Sequence, residues 1–378
     1  MFKRKTQYIS LLLIFILSIN QSLAQTKTEN VILISLDGVR WQEVFDGVDK
    51  RFFDQEEYNK YHDHHDKFKK EFWNDDPKLR REILFPFLWN TISKKGQIYG
   101  NRNLGSNADV TNQFYFSYPG YNEILTGIAD PRISSNDMML NPNKTFLEWL
   151  EEKSPFAGKT AAFASWDVFP YIINQERSNV FLNSDFNDMV ELNDRIKDLN
   201  QLQRDTPSPW DRVRLDVFTH EFALEYMKEK KPRALYISYG ETDDFAHDGF
   251  YDLYAISAKR IDDFIRRIWE QVQSDPHYKD KTTLLITTDH GRGYATLENW
   301  KSHGNNIPSI KEVGNSRSDQ EIWMAVIGPD TPATGEMKNT PPVKQNQIAA
   351  TLMKFLGLEY QSSHPTIKAG EAIDTMFK

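Results

Sequence analysis

Short, evenly apolar runs rich in β-branched residues alternate along the chain with segments whose apolar positions recur every three or four residues. Runs at residues 31–36 (VILISL), 159–164 (KTAAFA), 234–238 (ALYIS), 282–287 (TTLLIT) and 322–327 (IWMAVI) are too short and too uniform for half-exposed strands. They predict strands buried on both faces. Helical spacing is clearest over residues 251–273, through Leu253, Ile256, Ile261, Phe264, Ile265 and Ile268, and over residues 345–356. The alternation predicts an α/β fold, a three-layer sandwich whose mostly parallel central sheet carries helices on both faces.

Two stretches break the pattern. Residues 48–82 are crowded with charged and aromatic side chains and lack a strand, which predicts a helical insertion over the sheet edge. Residues 193–214 are polar, contain Pro207-Ser208-Pro209-Trp210, and predict a cap or loop. Neither an internal repeat nor a low-complexity linker divides the remainder, so residues 25–378 read as one domain.

The N-terminus has a basic start (Lys3, Arg4, Lys5), an apolar run from Ile9 to Ile19 and small residues at Ser22 and Ala24. This is the layout of a secretory signal peptide, residues 1–24, cut after Ala24. The apolar run is shorter than the roughly 20 residues a membrane span needs. The expected mature chain is periplasmic or secreted and has no membrane span.

The formal net charge is -8, and loss of residues 1–24 removes three positive charges and no negative ones. So acidic a chain gains nothing from bulk attraction to a nucleic acid polymer. An anionic substrate would need a local positive field, for which bound divalent cations are the usual source. With no cysteine in the chain, any metal is held by nitrogen and oxygen.

Candidate ligands follow three of the strands. Asp37-Gly38 ends the first, at the edge where open α/β sheets bind ligands. Asp243 and His247 follow the 234–238 strand four residues apart, so one helical turn brings them to the same side. Asp289-His290-Gly291 ends the 282–287 strand, and His303 lies in a loop beyond it. Singly, these read as a turn aspartate, a surface ion pair and a surface histidine. Together they point three Asp and three His at one sheet edge, a mixed oxygen and nitrogen set that suits zinc better than magnesium or calcium. Six ligands suit two metals.

Ser117 begins the run Ser117-Tyr118-Pro119-Gly120-Tyr121-Asn122-Glu123-Ile124-Leu125-Thr126-Gly127. Pro119 and Gly120 predict a turn, followed by a helix from Asn122. A serine at such a helix start is either a nucleophile with backbone N–H groups around it or an N-cap.

These motifs resemble the alkaline phosphatase superfamily, and within it the nucleotide pyrophosphatase/phosphodiesterase branch. Ser117-Tyr118-Pro119 through Leu125-Thr126-Gly127 is similar to that branch's Thr-Phe-Pro nucleophile motif with its trailing Thr-Gly. Glu241-Thr242-Asp243 with His247 is similar to its Glu-Pro-Asp followed by His, Thr288-Asp289-His290-Gly291 matches its Asp-His-Gly, and His303 stands for its last zinc histidine. The resemblance runs from Val31 to about Leu358.

It implies one zinc on Asp243, His247 and His303 and a second on Asp37, Asp289 and His290 with the Ser117 oxygen. It also implies attack by Ser117 to form a phosphoserine, with Asn136 and a backbone N–H near Ser117 holding a phosphoryl oxygen. The implied substrate is a small-molecule or lipid-head-group phosphoester. An Asn at the phosphoryl group favours diesters. Arg132 or Lys144 in an arginine's role would favour monoesters.

Other readings follow from the same residues. A sulfatase needs a formylglycine motif with Arg, which Tyr118-Pro119-Gly120-Tyr121 lacks, and a metal-dependent phosphoglycerate mutase needs an inserted domain that this chain has no room for. A non-catalytic zinc-binding protein would show full zinc occupancy without hydrolysis. The cluster Tyr61-His62-Asp63-His64-His65-Asp66 reads as a solvated helical face, and His220, His277 and His364 as surface or helix-end residues. Trp166, Phe169 and Tyr171 read equally as pocket wall or core.

Overall fold

A computed structural model of the chain describes residues 26–61, 65–294, 296–304 and 318–378. The expected signal peptide lies outside the described residues, as do His62, Asp63 and His64. Among the described residues no helix is long and apolar enough to cross a membrane.

The described residues contain ten strands: β1 (Asn30–Leu36), β2 (Gln97–Tyr99), β3 (Ala108–Asp109), β4 (Thr160–Ala164), β5 (Phe181–Ser184), β6 (Ala234–Tyr239), β7 (Thr282–Thr287), β8 (Met324–Ile327), β9 (Gly335–Glu336) and β10 (Val343–Lys344). Eight form the central sheet in the order β5-β4-β6-β1-β7-β8-β2-β9, and β10 pairs with β3 apart from it. From β5 to β7 the neighbours are parallel, whereas β8 runs antiparallel to both β7 and β2. The apolar run at residues 322–327 is therefore a shorter strand on the antiparallel side of a mostly parallel sheet.

Alternate residues of β1 enter different cores, as the two-residue period of a strand requires. Ile32, Ile34 and Leu36 face the helices Asp216–Lys230 and Tyr251–Ser274, while Val31 and Leu33 face Ser117–Thr126, Phe146–Glu151 and Ile348–Phe355. This makes the three layers. Tyr251–Ser274 buries Ile261, Phe264, Ile265 and Ile268 on one side, each removal from water contributing roughly 1.5–3 kcal/mol.

Residues 48–82 form the short helices Lys50–Phe53, His65–Phe72 and Pro77–Leu84. Phe52, Phe72 and Leu84 join the core beside Ile34, and Arg81 pairs with Glu336 on the edge strand β9. Residues 193–214 divide into a helix, Asp194–Asp205, capped by the Asn193 side chain, and a loop whose Val213 bridges Trp166.

Two local expectations are corrected. Pro119 and Gly120 are not a turn ahead of the helix but part of its first turn, since the helix runs Ser117–Thr126. Proline is tolerated there because the N–H it lacks would have no intrahelical partner. Gly120 is needed for packing: a Cβ would lie 2.4 Å from the Asp289 carbonyl oxygen.

His220 is neither at the surface nor at a helix end. It is buried within Asp216–Lys230, stacked on Phe264 at 4.3 Å, with Nδ1 3.1 Å from the Tyr239 hydroxyl. This helix buries residues around most of its circumference, so no surface side was legible from spacing. Burial, aided by the charges of Arg267 and Lys228, holds the imidazole pKa well below its ordinary value. A His depressed in the fold adds stability above the unfolded value of about 6.5 and loses it as pH falls. His220→Phe is therefore expected to flatten the acid limb of melting temperature against pH below about 6.5. An unchanged limb would show that His220 does not control it.

Candidate metal centre

Strand register delivers the candidate ligands to one place. Ser35 pairs with Ser238 on one side and Thr287 on the other, so the residues that follow β1, β6 and β7 emerge level at their carboxyl ends. Asp37 and Asp289-His290 leave directly from strands. Asp243 and His247 sit on the short helix Glu241–His247 that follows β6.

His290 Nε2 lies 3.2 Å from Asp37 Oδ1, 3.3 Å from Asp289 Oδ2, 3.9 Å from Asp243 Oδ1 and 3.4 Å from Ser117 Oγ. His303 Nε2 lies 3.5 Å from Asp243 Oδ1 and 3.1 Å from His247 Nε2, which is itself 3.1 Å from Asp243 Oδ2. All six expected ligands and Ser117 thus form one connected cluster. Two groups within it have ligand atoms close enough to share an ion, Asp37-Asp289-His290 and Asp243-His290-His303.

The cluster fits cations. Asp37 Oδ1 and Asp289 Oδ2 are buried without a well-formed hydrogen bond, a state that costs free energy unless a positive charge is supplied. Burial, together with the charges of Asp37 and Asp243, holds the Asp289 pKa well above the carboxylate range. Burial opposes charge on His290, yet Asp289, Asp37 and Asp243 outweigh it and raise the pKa to about 10. Burial and the neighbouring His290 lower His303 to about 3. Nδ1 of His290 faces the Gly291 carbonyl at 2.8 Å and Nδ1 of His303 the Tyr115 carbonyl at 3.2 Å. Donation there leaves Nε2 toward the carboxylates, the tautomer a ligand imidazole needs.

Several contacts that orient these groups are not visible in the motifs. Tyr121 donates its hydroxyl to Asp37 Oδ2 at 2.7 Å, and the Gly38 N–H donates to Asp289 Oδ1 at 3.1 Å. Tyr121 lies four residues after Ser117 on one helix, a spacing that places both on the same face. Buried Asp319 joins the loops of His290 and His303, accepting from Gly304 N–H at 3.1 Å and from Gly291 N–H at 2.8 Å. Nothing in the sequence around Asp319 signals that position.

Ser117 is the first residue of its helix, is 5 % exposed, and does not act as the cap, a place taken by Phe116. Asn136 Oδ1 accepts the Tyr118 N–H at 2.9 Å, Pro119 has no N–H, and Gly120 donates to the Phe116 carbonyl. The Tyr118 N–H beside Ser117 is therefore committed, and Asn136 is brought to the site by taking it.

A cavity of about 500 Å³ contains Asp37, Ser117, Asn136 and Asp243 and is walled by Trp166, Trp210 and Arg212. Phe169 packs in the core, and Tyr171 packs against it. Neither Arg132, paired with Asp130, nor Lys144, paired with Glu152, lines this cavity. Its arginine is Arg212, whose guanidinium lies 2.9 Å from Asp167.

Comparison with known structures agrees with the fold. A phosphonate monoester hydrolase, SpPMH from Silicibacter pomeroyi, superposes with TM-score 0.57 at 12 % identity over 93 % of this chain and 76 % of its own. The alkaline phosphatase PafA gives 0.55 at 12 % identity over 94 % of this chain and 100 % of its own. The lipoteichoic acid synthase LtaP from Listeria monocytogenes gives 0.53 at 12 % identity over 94 % and 76 %. At these identities the likeness is one of fold. No curated protein matches the sequence. The family model for type I phosphodiesterase / nucleotide pyrophosphatase matches residues 47–309, a span that includes Ser117, Asp243, His247, Asp289, His290 and His303. The chain is a phosphoester hydrolase and belongs to the type I phosphodiesterase / nucleotide pyrophosphatase family.

Proposed function

We propose that the protein is an exported two-zinc phosphoester hydrolase that acts through a phosphoserine at Ser117 and prefers diesters. The observation that carries this reading is the position of Ser117 Oγ, 3.4 Å from His290 Nε2 and inside the cavity formed by Asp37 and Asp243. One zinc would be held by Asp243, His247 and His303 and the other by Asp37, Asp289, His290 and the Ser117 oxygen. The chemistry that bound metals supply there is Lewis acidity and positive charge beside the phosphoryl group.

Ser117 Oγ, its proton released to solvent, attacks phosphorus, and the bond to the departing oxygen breaks as the new P–O bond forms, that oxygen taking up a proton from solvent to leave as the alcohol. Water then cleaves the phosphoserine and restores the hydroxyl. Asn136 lines the cavity next to Ser117 and holds a non-bridging oxygen through its amide. Trp166 and Trp210 offer the substituent an apolar wall and exclude water.

An amide at that position suits the single negative charge of a diester. The cavity's arginine, Arg212, is already neutralised by Asp167, which leaves the second charge of a monoester without a dedicated partner. Recovered from the periplasm or medium of an expressing bacterium, the mature chain is expected to begin at Gln25. It should hydrolyse bis-nitrophenyl phosphate faster than nitrophenyl phosphate. Retention of residues 1–24 would overturn the export reading, and the opposite substrate order would identify a monoesterase.

A further inference from the structure

Arg292 follows the Asp289-His290 pair by two residues and its side chain is fully buried. A buried guanidinium is costly unless its donors are engaged. Here Nε donates to the Trp300 carbonyl at 2.8 Å and Nη2 to the Lys301 carbonyl at 2.9 Å, while Nη1 meets Asp243 Oδ1. Both carbonyls belong to the turn that delivers His303, and Asp243 is the carboxylate nearest that imidazole. One planar group therefore ties the loop after β7 to the start of Glu241–His247 and to the His303 turn. The end of β1 closes against this junction: a Cβ on Gly38 would lie 2.7 Å from Asp243 Oδ1 and 2.9 Å from Arg292 Nη1.

We propose that Arg292 is a positioning residue for the site of Asp243, His247 and His303, holding the carboxylate and the imidazole turn at one spacing before a cation arrives. The proposal rests on the two-zinc reading. With Oδ1 engaged by the guanidinium, Asp243 Oδ2 is left facing His247 at 3.1 Å for coordination. The added positive charge also offsets repulsion among Asp37, Asp243 and Asp289 in the metal-free protein. A lysine keeps the charge but lacks the planar fork that reaches a carboxylate and two carbonyls together.

The test uses the full mature chain, its Arg292→Lys and Arg292→Gln variants, and metal binding read without substrate. Each is titrated with zinc against a chromophoric chelator, and with cobalt followed by visible absorption. Wild type is expected to bind two ions per chain. Each variant should keep the Asp37-Asp289-His290 site unchanged and bind the second ion at least about tenfold more weakly, the usual cost of losing a contact behind a ligand. The cobalt spectrum of that second ion should change as well.

A purely structural role would weaken both sites together with the melting temperature. Equal weakening of both sites, or two sites of wild-type affinity in Arg292→Lys, would overturn the proposal. The lysine variant decides it if Arg292→Gln does not fold. A wild-type chain that takes up neither zinc nor cobalt defeats the two-zinc reading itself, whereas normal wild-type uptake with unselective variants defeats only the role of Arg292.

Discussion

Ser117→Ala is expected to lower phosphodiester turnover by about a thousandfold or more while both metals stay bound. The hydroxyl is buried at the cluster and does not cap its helix, so its loss removes the nucleophile without removing a structural hydrogen bond at the helix start. All six expected ligands lie outside this helix, five of them in the segments that follow β1, β6 and β7, whose positions follow from strand register, and His303 in a loop beyond. Metal content of the variant should therefore match wild type. Acid quenching of wild type during turnover should trap phosphate on Ser117, readable by mass spectrometry. Activity above a few per cent of wild type in the alanine variant would exclude the covalent route.

Asp243→Ala is expected to lose the cation of its site along with activity, and also to destabilise the metal-free protein. Burial alone would raise the Asp243 pKa, but His247, Arg292 and His303 hold it well below the carboxylate range. Truncation leaves the Arg292 guanidinium buried without its acid, a change that costs about 3–5 kcal/mol when a buried pair is broken from one side. Asp289→Asn should behave oppositely in the metal-free state. Burial, Asp37 and Asp243 disfavour its charge, and asparagine can still accept from Gly38, so the metal-free variant should melt no lower than wild type. It should nonetheless bind metal poorly. Denaturant melts with and without chelator separate the two effects. A metal-free Asp243→Ala as stable as wild type would mean that Arg292 is not committed to Asp243.

Much of the fold was legible because its strongest signals are local. β1 and β7 are short runs dominated by aliphatic and β-branched residues, and Tyr251–Ser274 repeats its apolar residues at the helical period, so each announces its own type. β2, β5 and β9 were not visible, having two to four residues each and no repeat. They are strands because the sheet already present offers an edge to pair with. His220 shows the same limit in the other direction, since only packing against Phe264 and Tyr239 makes a central helix position a core position.

The chain by itself determined which ligand chemistry is on offer: three Asp and three His in the segments after three strands, one Ser at a helix start, and no thiol to compete. It also determined the order of the motifs, which from Ser117 to His303 fall within the span of the family match. Tertiary structure alone decided which groups stand behind those ligands. Tyr121 reaches Asp37, Arg292 reaches Asp243 and the His303 turn, and Asp167 neutralises Arg212. The side-chain pairs are separated by 45 to 84 residues and the Arg292 contact to Lys301 spans a loop, so no periodicity connects their members. A side chain's type sets what it can bind, but the charge and spacing it meets are set by chain brought from elsewhere.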